Sequence, residues 1–498
     1  MYIMTGRNTI VTIAALIWLH AILLSCQVTT LESQGNGRGI GSGKVVPIRM
    51  HGRQLGVSKP SELSRRQIGP PVQPLRWADQ VPGHALLVNV TVGTPGQLLS
   101  LRIQTGASDI YVPDAKAADC EDYKLTKPPT LYPCKGSTGG GFRRNYSSSF
   151  KLIEENGFNV KYSDDEYYNE PPYYIYGGPY GYAKGDYVKD VLVLGDGSSN
   201  PFNSKKALDP FQFAVATELS DGNIDGGVLG LGVKSKEAIA NGAKLYPTYM
   251  EELLDRGLIS SPTFSIYIYP ANDKSTYDGS LIFGGYMDTK TRTNFGAFQI
   301  QYIDNSDRTD SFNILLTEVS VFGDNNDFTY KSNTSAFAVR LDYGSAQSYL
   351  PRSIVQGIAG ILSTRWPGPN GSELFGVDCR LLDIERHKIT FSFEGNFASL
   401  QDTIICPLRN FIIQDEYGDC YLGIIPDNGK FVLGLNFLRH VNVIFDLGTQ
   451  TIFMAAAPST SEEFSIFEVA EAGIPAAVYY SSGIYSRETI TTTRIYVF

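Results

Sequence analysis

The sequence predicts an all-β protein built from two related halves. Strand-favouring aromatic residues are abundant, with 30 Tyr and 26 Phe, while 50 Gly and 26 Pro can supply turns between many strands. The stretches 101–113 and 339–351 each contain an apolar strand, a polar residue at a glycine turn, and a second strand that ends in proline. An apolar-apolar-Gly segment follows later in both halves, at 228–230 and 432–434. This repeated order of parts indicates an internal duplication.

The two glycine turns resemble those of the pepsin-like aspartic peptidases, whose D-T/S-G-T/S turns each supply one carboxylate of a catalytic pair. GTPGQ at 93–97 and DGSLIFGGYMD at 278–288, which we expect to form a hairpin, extend the resemblance. It implies the bilobed pepsin-like acid-protease fold of the secreted fungal and eukaryotic type. In that fold, two related β-barrel-like lobes flank a cleft.

The two halves differ at the position of the paired carboxylates. The second half has Asp342 there, whereas the first half has Gln104. Peptide hydrolysis by this family needs two carboxyl groups that share one proton. An amide does not ionise near neutral pH and cannot exchange that proton, and Gln is one methylene longer than Asp. The resemblance therefore implies catalytic positions at Asp342 and Gln104, with the first catalytic Asp replaced by Gln.

The resemblance also implies which residues surround a bound polypeptide. In the family, a hydroxyl after each Asp locks the two turns together; Thr105 can do this, but Tyr343 must either face away or wedge the lobes apart. Residues 145–195 should form a flap with a Tyr near its tip, for which Tyr162 and Tyr176 are alternatives. The expected substrate-binding residues are Thr105, Gly106, Tyr343, Gly344, Tyr162 and Tyr176.

Residues 1–26 have the pattern of a cleaved secretory signal, with Arg7 followed by an apolar run too short for an ordinary membrane span. Residues 27–66 read as a basic prosegment that ends in the dibasic pair Arg65-Arg66. We expect an N-terminal lobe over 67–260, a C-terminal lobe over 261–458 and a C-terminal extension over 459–498. The extension has no evident membrane or lipid-anchor signal. The sequence therefore predicts a secreted zymogen, either extracellular or in the vacuole or cell wall.

Charge separates the prosegment from the rest of the chain. Removing the +1 of residues 1–26 and the +5 of residues 27–66 from the net charge of −9 leaves −15 for residues 67–498. A basic prosegment suits an acidic body, and that charge argues against nucleic acid as a partner. We expect a monomer whose partner is a polypeptide substrate or a protein ligand in the cleft.

The cysteines predict disulfides rather than metal or thiol-redox chemistry, because the sequence contains no CxxC motif. We pair Cys120 with Cys134 and Cys379 with Cys420, which leaves Cys406 over; pairing of Cys406 with Cys420 remains open. No metal ligand set and no cofactor motif is evident. Four N-x-S/T sequons predict glycosylation, at Asn89, Asn145, Asn333 and Asn370.

Two helices are also expected. Thr248 with Glu251 forms a capping box for a short helix that Gly257 ends, near the lobe boundary at about 256–264. A second helix should begin near Ser353.

Two functions follow as hypotheses. The first is a catalytically impaired homologue, or pseudoprotease, that binds an extended polypeptide or a protein partner in the cleft between the lobes. The alternative is a functional aspartic endopeptidase that hydrolyses peptide bonds at acidic pH with Asp342 as its only base.

Overall fold

The computed structural model describes residues 45–54, 84–117, 141–161, 182–194, 207–219, 227–238, 245–268, 278–289, 295–301, 311–323, 329–332, 335–362, 374–384, 386–395, 401–414, 418–457, 464–469, 474 and 495–496. Residues 44–498 form one compact unit. The predicted signal at 1–26 and the predicted Cys120–Cys134 disulfide lie outside the described residues, as do the sequons at Asn333 and Asn370 and the flap-tip candidates Tyr162 and Tyr176.

Strands dominate the described residues, which confirms the all-β prediction. In chain order they are β1 Val46–Gln54, β2 His84–Val92, β3 Gln97–Gln104, β4 Ile110–Pro113, β5 Lys151–Lys161, β6 Tyr182–Leu194, β7 Ala207–Leu219, β8 Val228–Gly230, β9 Thr263–Ile268, β10 Asp278–Phe283, β11 Gly285–Thr289, β12 Gly296–Gln299, β13 Asn313–Phe322, β14 Thr329–Lys331, β15 Phe337–Leu341, β16 Ser348–Pro351, β17 Gly376–Val377, β18 Lys388–Glu394, β19 Gln401–Pro407, β20 Ile412–Gln414, β21 Cys420–Leu422, β22 Ile424–Asp427, β23 Val432–Leu433, β24 Val441–Asp446, β25 Thr451–Ala456, β26 Phe464–Glu468 and β27 Ile495–Tyr496.

Within the described residues, three α-helices accompany these strands: α1 Tyr249–Asp255, α2 Arg352–Ile361 and α3 Leu435–Leu438. Helix α1 carries the predicted capping box, since Thr248 accepts from the backbone N–H of Glu251 while the Glu251 side chain accepts from that of Thr248. Gly257 follows with a φ of 65°, a left-handed conformation that glycine adopts without strain. Both helices expected from the sequence are therefore confirmed.

A 13-stranded sheet contains the first half of the chain and part of the second. Its order is β12-β25-β24-β9-β10-β1-β2-β3-β8-β4-β7-β6-β5, and a further pairing of β2 with β6 closes the first half on itself. A nine-stranded sheet in the second half has the order β22-β16-β23-β15-β13-β18-β19-β27, with β14 paired to β13. A small sheet, β17-β21-β20, completes that half.

The predicted duplication is visible in how the two turns are held. Strand β8 lies between β3 and β4, parallel to the first and antiparallel to the second. Strand β23 lies between β15 and β16 with the same two orientations. The apolar-apolar-Gly segments thus thread behind the glycine turns in both halves, as the sequence predicts. The fold is the bilobed arrangement expected from the resemblance.

The predicted hairpin at 278–288 is wrong. Strand β10 pairs with β9 and β1, whereas β11 pairs with β26. Gly284 separates β10 from β11 and has a φ of 72°, so the chain changes direction there and β11 joins a different sheet. Strand β26 belongs to the predicted C-terminal extension, which therefore adds strands to the body: β26 pairs with β11, and β27 runs parallel to β19.

Strand β1 lies within the predicted prosegment. It is inserted between β10, from the second half, and β2, from the first half. Val46, Ile48 and Met50 point into the core with 1% exposure or less. The predicted prosegment thus supplies a strand that joins the two halves.

The predicted pair Cys379–Cys420 forms a disulfide in the second half. Cys406 is free and fully buried, and burial raises the pKa of its thiol. The alternative pairing of Cys406 with Cys420 is therefore not made.

Candidate active site

The two glycine turns meet face to face. Gln104 ends β3 and Asp342 follows β15, and the two residues are 3% and 7% exposed. A Cβ atom on Gly106 would lie 2.5 Å from Asp342 Oδ2, and one on Gly344 would lie 2.7 Å from Gln104 Cγ. Each turn therefore leaves room for the polar side chain that the opposite turn presents. The structure brings together four of the predicted site residues: Gln104, Gly106, Asp342 and Gly344.

Thr105 links the two turns. Its Oγ1 donates to the carbonyl oxygen of Leu341 at 2.8 Å and accepts from the backbone N–H of Tyr343 at 3.1 Å. Both bonds are buried, so they connect residues far apart in sequence without competition from water. The turn of the first half thus holds the backbone of the second.

Tyr343 faces away from the opposite turn. Its side chain is fully buried, and its ring lies 6.4 Å from that of Phe445 in an edge-on arrangement. Phe445 in turn stacks on Phe264 at 4.6 Å. Burial raises the pKa of Tyr343. Of the two alternatives that the sequence left open for Tyr343, the structure has the ring facing away. The ring packs into the aromatic core and does not wedge the lobes apart.

Arg340 is a residue of the site that our reading of the sequence missed. Its Nη2 lies 3.0 Å from Asp342 Oδ2, while Asp342 Oδ1 accepts from the backbone N–H of Gly344 at 2.8 Å. Alternate residues of a strand share a face, so a residue two positions before Asp342 points to the same side. This two-residue alternation was the signal in the sequence that could have identified Arg340. Among the described residues, the site therefore brings together the carboxylate of Asp342, the amide of Gln104 and the guanidinium of Arg340.

A pair of buried acidic residues, Asp109 and Glu237, lies outside the site formed by the two turns. Asp109 is 4% exposed and accepts from Tyr187 Oη, Tyr246 Oη and the backbone N–H of Ala238. Burial raises the pKa of Asp109 against these hydrogen bonds. Glu237 accepts from the backbone N–H of Tyr246, and its Oε1 is buried without a hydrogen-bond partner among the described residues. Burial, with the nearby charge of Asp109, raises the pKa of Glu237 to about 8.

The raised pKa of Glu237 makes stability depend on pH. Unfolded Glu237 loses its proton near its ordinary pKa of 4.5, whereas folded Glu237 keeps it up to about pH 8. The stabilisation is therefore full below pH 4.5 and is lost as pH rises toward 8. We expect Glu237→Gln to melt close to the unaltered protein at pH 4.5, and at least about 3 °C above it at pH 7.5. Differential scanning calorimetry at both pH values measures this.

The control is Glu155→Gln, which removes an exposed carboxylate from β5. Glu155→Gln should show the same difference between its melting temperatures at pH 4.5 and pH 7.5 as the unaltered protein. Lys234 lowers and Glu251 raises the pKa of Glu237, so both stay unaltered in this comparison. If Glu237→Gln lost as much stability on going from pH 4.5 to 7.5 as the unaltered protein, the buried carboxyl would not be responsible.

The stem of the predicted flap is present as β5 and β6, which pair up to Lys161 and Tyr182. Of the sequons within the described residues, Asn145 is exposed, while Asn89 is half-buried and accepts from Ser100. In the part of the chain that the structure describes, no three His, Cys, Asp or Glu residues are arranged to hold a metal ion. No helix of that part is long and apolar enough to cross a membrane.

Comparison with known proteins agrees with this fold. A family model described as eukaryotic aspartyl protease matches residues 86–457. The chain is 29% identical to a probable aspartic-type endopeptidase opsB of Aspergillus fumigatus, over 80% of this chain and 74% of the relative. It is 26% identical to the aspartic proteinase yapsin-3 of Saccharomyces cerevisiae, over 91% and 80% of the two chains. It is 25% identical to secreted aspartic protease 8 of Candida albicans, over 76% and 77%. The chain belongs to the eukaryotic aspartyl protease family.

Proposed function

We propose that this protein is a secreted member of its family that binds an extended polypeptide or a protein partner between its lobes and has lost most or all peptidase activity. Gln104 carries the proposal. It occupies the place in the first turn that Asp342 occupies in the second, and the two glycine turns enclose both side chains alike. The family's resident pair of carboxyl groups is then reduced to one.

The loss follows from proton transfer. Hydrolysis needs one carboxylate to take a proton from water while a second carboxyl group gives one to the substrate carbonyl. Gln104 can do neither, because its amide does not ionise in the working range of pH. One positioned acid or base accelerates a reaction by about 10²–10⁴-fold. Where two groups act as a unit, removing one of them lowers the rate by more than that group's own factor.

The binding surface is supported by what remains. The turns, their threading strands and the hydrogen bonds of Thr105 hold the site together without the missing carboxylate. The names of the relatives describe enzymes that cleave polypeptides, and the name of one relative describes it as secreted. A polypeptide in the same place and an extracellular or cell-wall location are therefore the natural extension to this chain.

The test is a peptidase assay of the protein cleaved after Arg66, with β1 still bound in the sheet, beside a binding assay. We expect denatured casein to remain uncleaved at pH 3–5, while a statine-containing peptide binds with measurable affinity. Asp342→Ala is the control, because any true activity of this site must vanish with it. Cleavage at rates typical of active relatives, abolished by Asp342→Ala, would contradict the proposal.

The second candidate is a slow aspartic endopeptidase with Asp342 as its only base. The names of the relatives favour it. In that case the unaltered protein cleaves casein slowly, and Gln104→Asp raises the rate only modestly.

A further inference from the structure

We propose that Arg340 is a positioning residue that disables Asp342 independently of Gln104. The proposal rests on the proposed loss of hydrolysis and adds a second cause for it. It predicts that putting an acid back at position 104 does not by itself restore a peptidase.

The contact occupies the carboxylate that hydrolysis would need. Asp342 Oδ2 faces Arg340 Nη2 at 3.0 Å, and Asp342 Oδ1 faces the backbone N–H of Gly344 at 2.8 Å. A guanidinium has donors only, so the oxygen that faces it carries no proton. Asp342 is thus held as an acceptor on both of its oxygens.

The ion pair is partly sheltered from solvent. The side chain of Asp342 is 11% exposed and that of Arg340 is 35% exposed, so water screens the pair less than it screens a surface pair. The backbone of Arg340 is fixed as well. Its N–H donates to the carbonyl oxygen of Phe431, and Arg340 pairs with Asn313 on the adjacent strand β13.

Two buried donors lie on the strand face that carries Arg340. Arg340 Nε and Asn313 Nδ2 are both buried and have no hydrogen-bond partner within the described part of the chain. Asn313 is opposite Arg340 on the neighbouring strand, so the two side chains share a face. Among the described residues, the Arg340 guanidinium thus makes its ion pair with Asp342 while its Nε stays without a partner.

This arrangement removes the reason why two carboxyl groups share a proton. Two carboxylates at close range cannot both ionise, and their repulsion retains one proton between them. A guanidinium beside one of them supplies the compensating charge. With Asp at 104, Asp342 Oδ2 would still face a guanidinium that can only donate, so that oxygen could neither hold the shared proton nor give it to the substrate carbonyl.

Three variants test the proposal: Gln104→Asp, Gln104→Asp/Arg340→Met and Gln104→Asp/Arg340→Lys. Methionine keeps an unbranched, flexible side chain and removes the charge, whereas lysine keeps the charge and changes the shape. We measure kcat and KM on a quenched fluorescent peptide at pH 3–5. Binding of a statine-containing peptide and the melting temperature show that each variant is folded.

We expect the methionine variant to exceed Gln104→Asp in kcat by about 100-fold or more, with KM changed by less than about threefold. The kcat of the lysine variant should stay near that of Gln104→Asp, because the proposal attributes the loss to the positive charge of Arg340 and not to its shape. Three outcomes would overturn the proposal: Gln104→Asp as active as the methionine variant, a lysine variant as active as the methionine variant, or a folded, inhibitor-binding methionine variant without activity. Cleavage by the unaltered chain bears on the proposed function alone.

Discussion

Deletion of residues 45–54 is expected to prevent the protein from folding. Strand β1 pairs with β10 over residues 46–51 and with β2 over residues 50–54, so its loss leaves both strands with an open edge. The buried side chains of Val46, Ile48 and Met50 are lost with it, each worth about 1.5–3 kcal/mol. Their sum of roughly 5–9 kcal/mol is comparable with the whole stability of a typical domain, about 5–15 kcal/mol.

The yield of soluble protein that elutes outside the void volume on size-exclusion chromatography measures the effect. The matched control deletes residues 27–44, which lie in the same predicted prosegment but precede β1. That control should give a normal yield if β1 is the part of the prosegment that folding needs. A soluble protein without residues 45–54 that melts at the unaltered temperature would show that β1 is dispensable.

The fold was predictable because two kinds of signal agreed. Strand composition and the repeated glycine turns indicated a duplicated all-β protein, and β8 and β23 thread behind the turns as the repeats imply. The sequence predicts a hairpin at 278–288 that does not form, because local sequence cannot show that the chain turns at Gly284 and that β11 pairs with the distant strand β26. The pairing of β1 was missed for the same reason: its partners are far away in sequence.

The site was predictable only as far as its turns. Gln104 and Asp342 stand out because the glycine motifs mark them, but Arg340 carries no motif and is recognised by strand alternation alone. The cluster of Asp109 and Glu237 could not be seen in the sequence, because Tyr187 and Tyr246 reach it from separate segments. Burial of a carboxyl group is a property of the packed lobe and leaves no local pattern.

Replacement of Tyr343 by alanine is expected to destabilise the protein by about 3–5 kcal/mol, the usual loss for a buried aromatic side chain. The side chain is fully buried and packs edge-on against Phe445, in contact with the stacked pair of Phe264 and Phe445. Tyr343→Thr, which copies the residue type of active family members, also leaves a large cavity. Thr at this position would therefore weaken the core even though its hydroxyl suits the turn. Urea unfolding followed by tryptophan fluorescence measures the change.

Tyr343→Phe is the matched variant, since it keeps the ring and removes only the hydroxyl. That hydroxyl is buried and has no hydrogen-bond partner among the residues described by the structure. An unpaired buried hydroxyl carries a desolvation penalty of about 1–3 kcal/mol, so its removal should be neutral or stabilising. Tyr343→Phe keeps the backbone N–H that donates to Thr105 Oγ1, so it should not alter binding of a statine-containing peptide. A loss above about 1 kcal/mol in Tyr343→Phe would mean that the hydroxyl has a partner and that the ring does not act by packing alone.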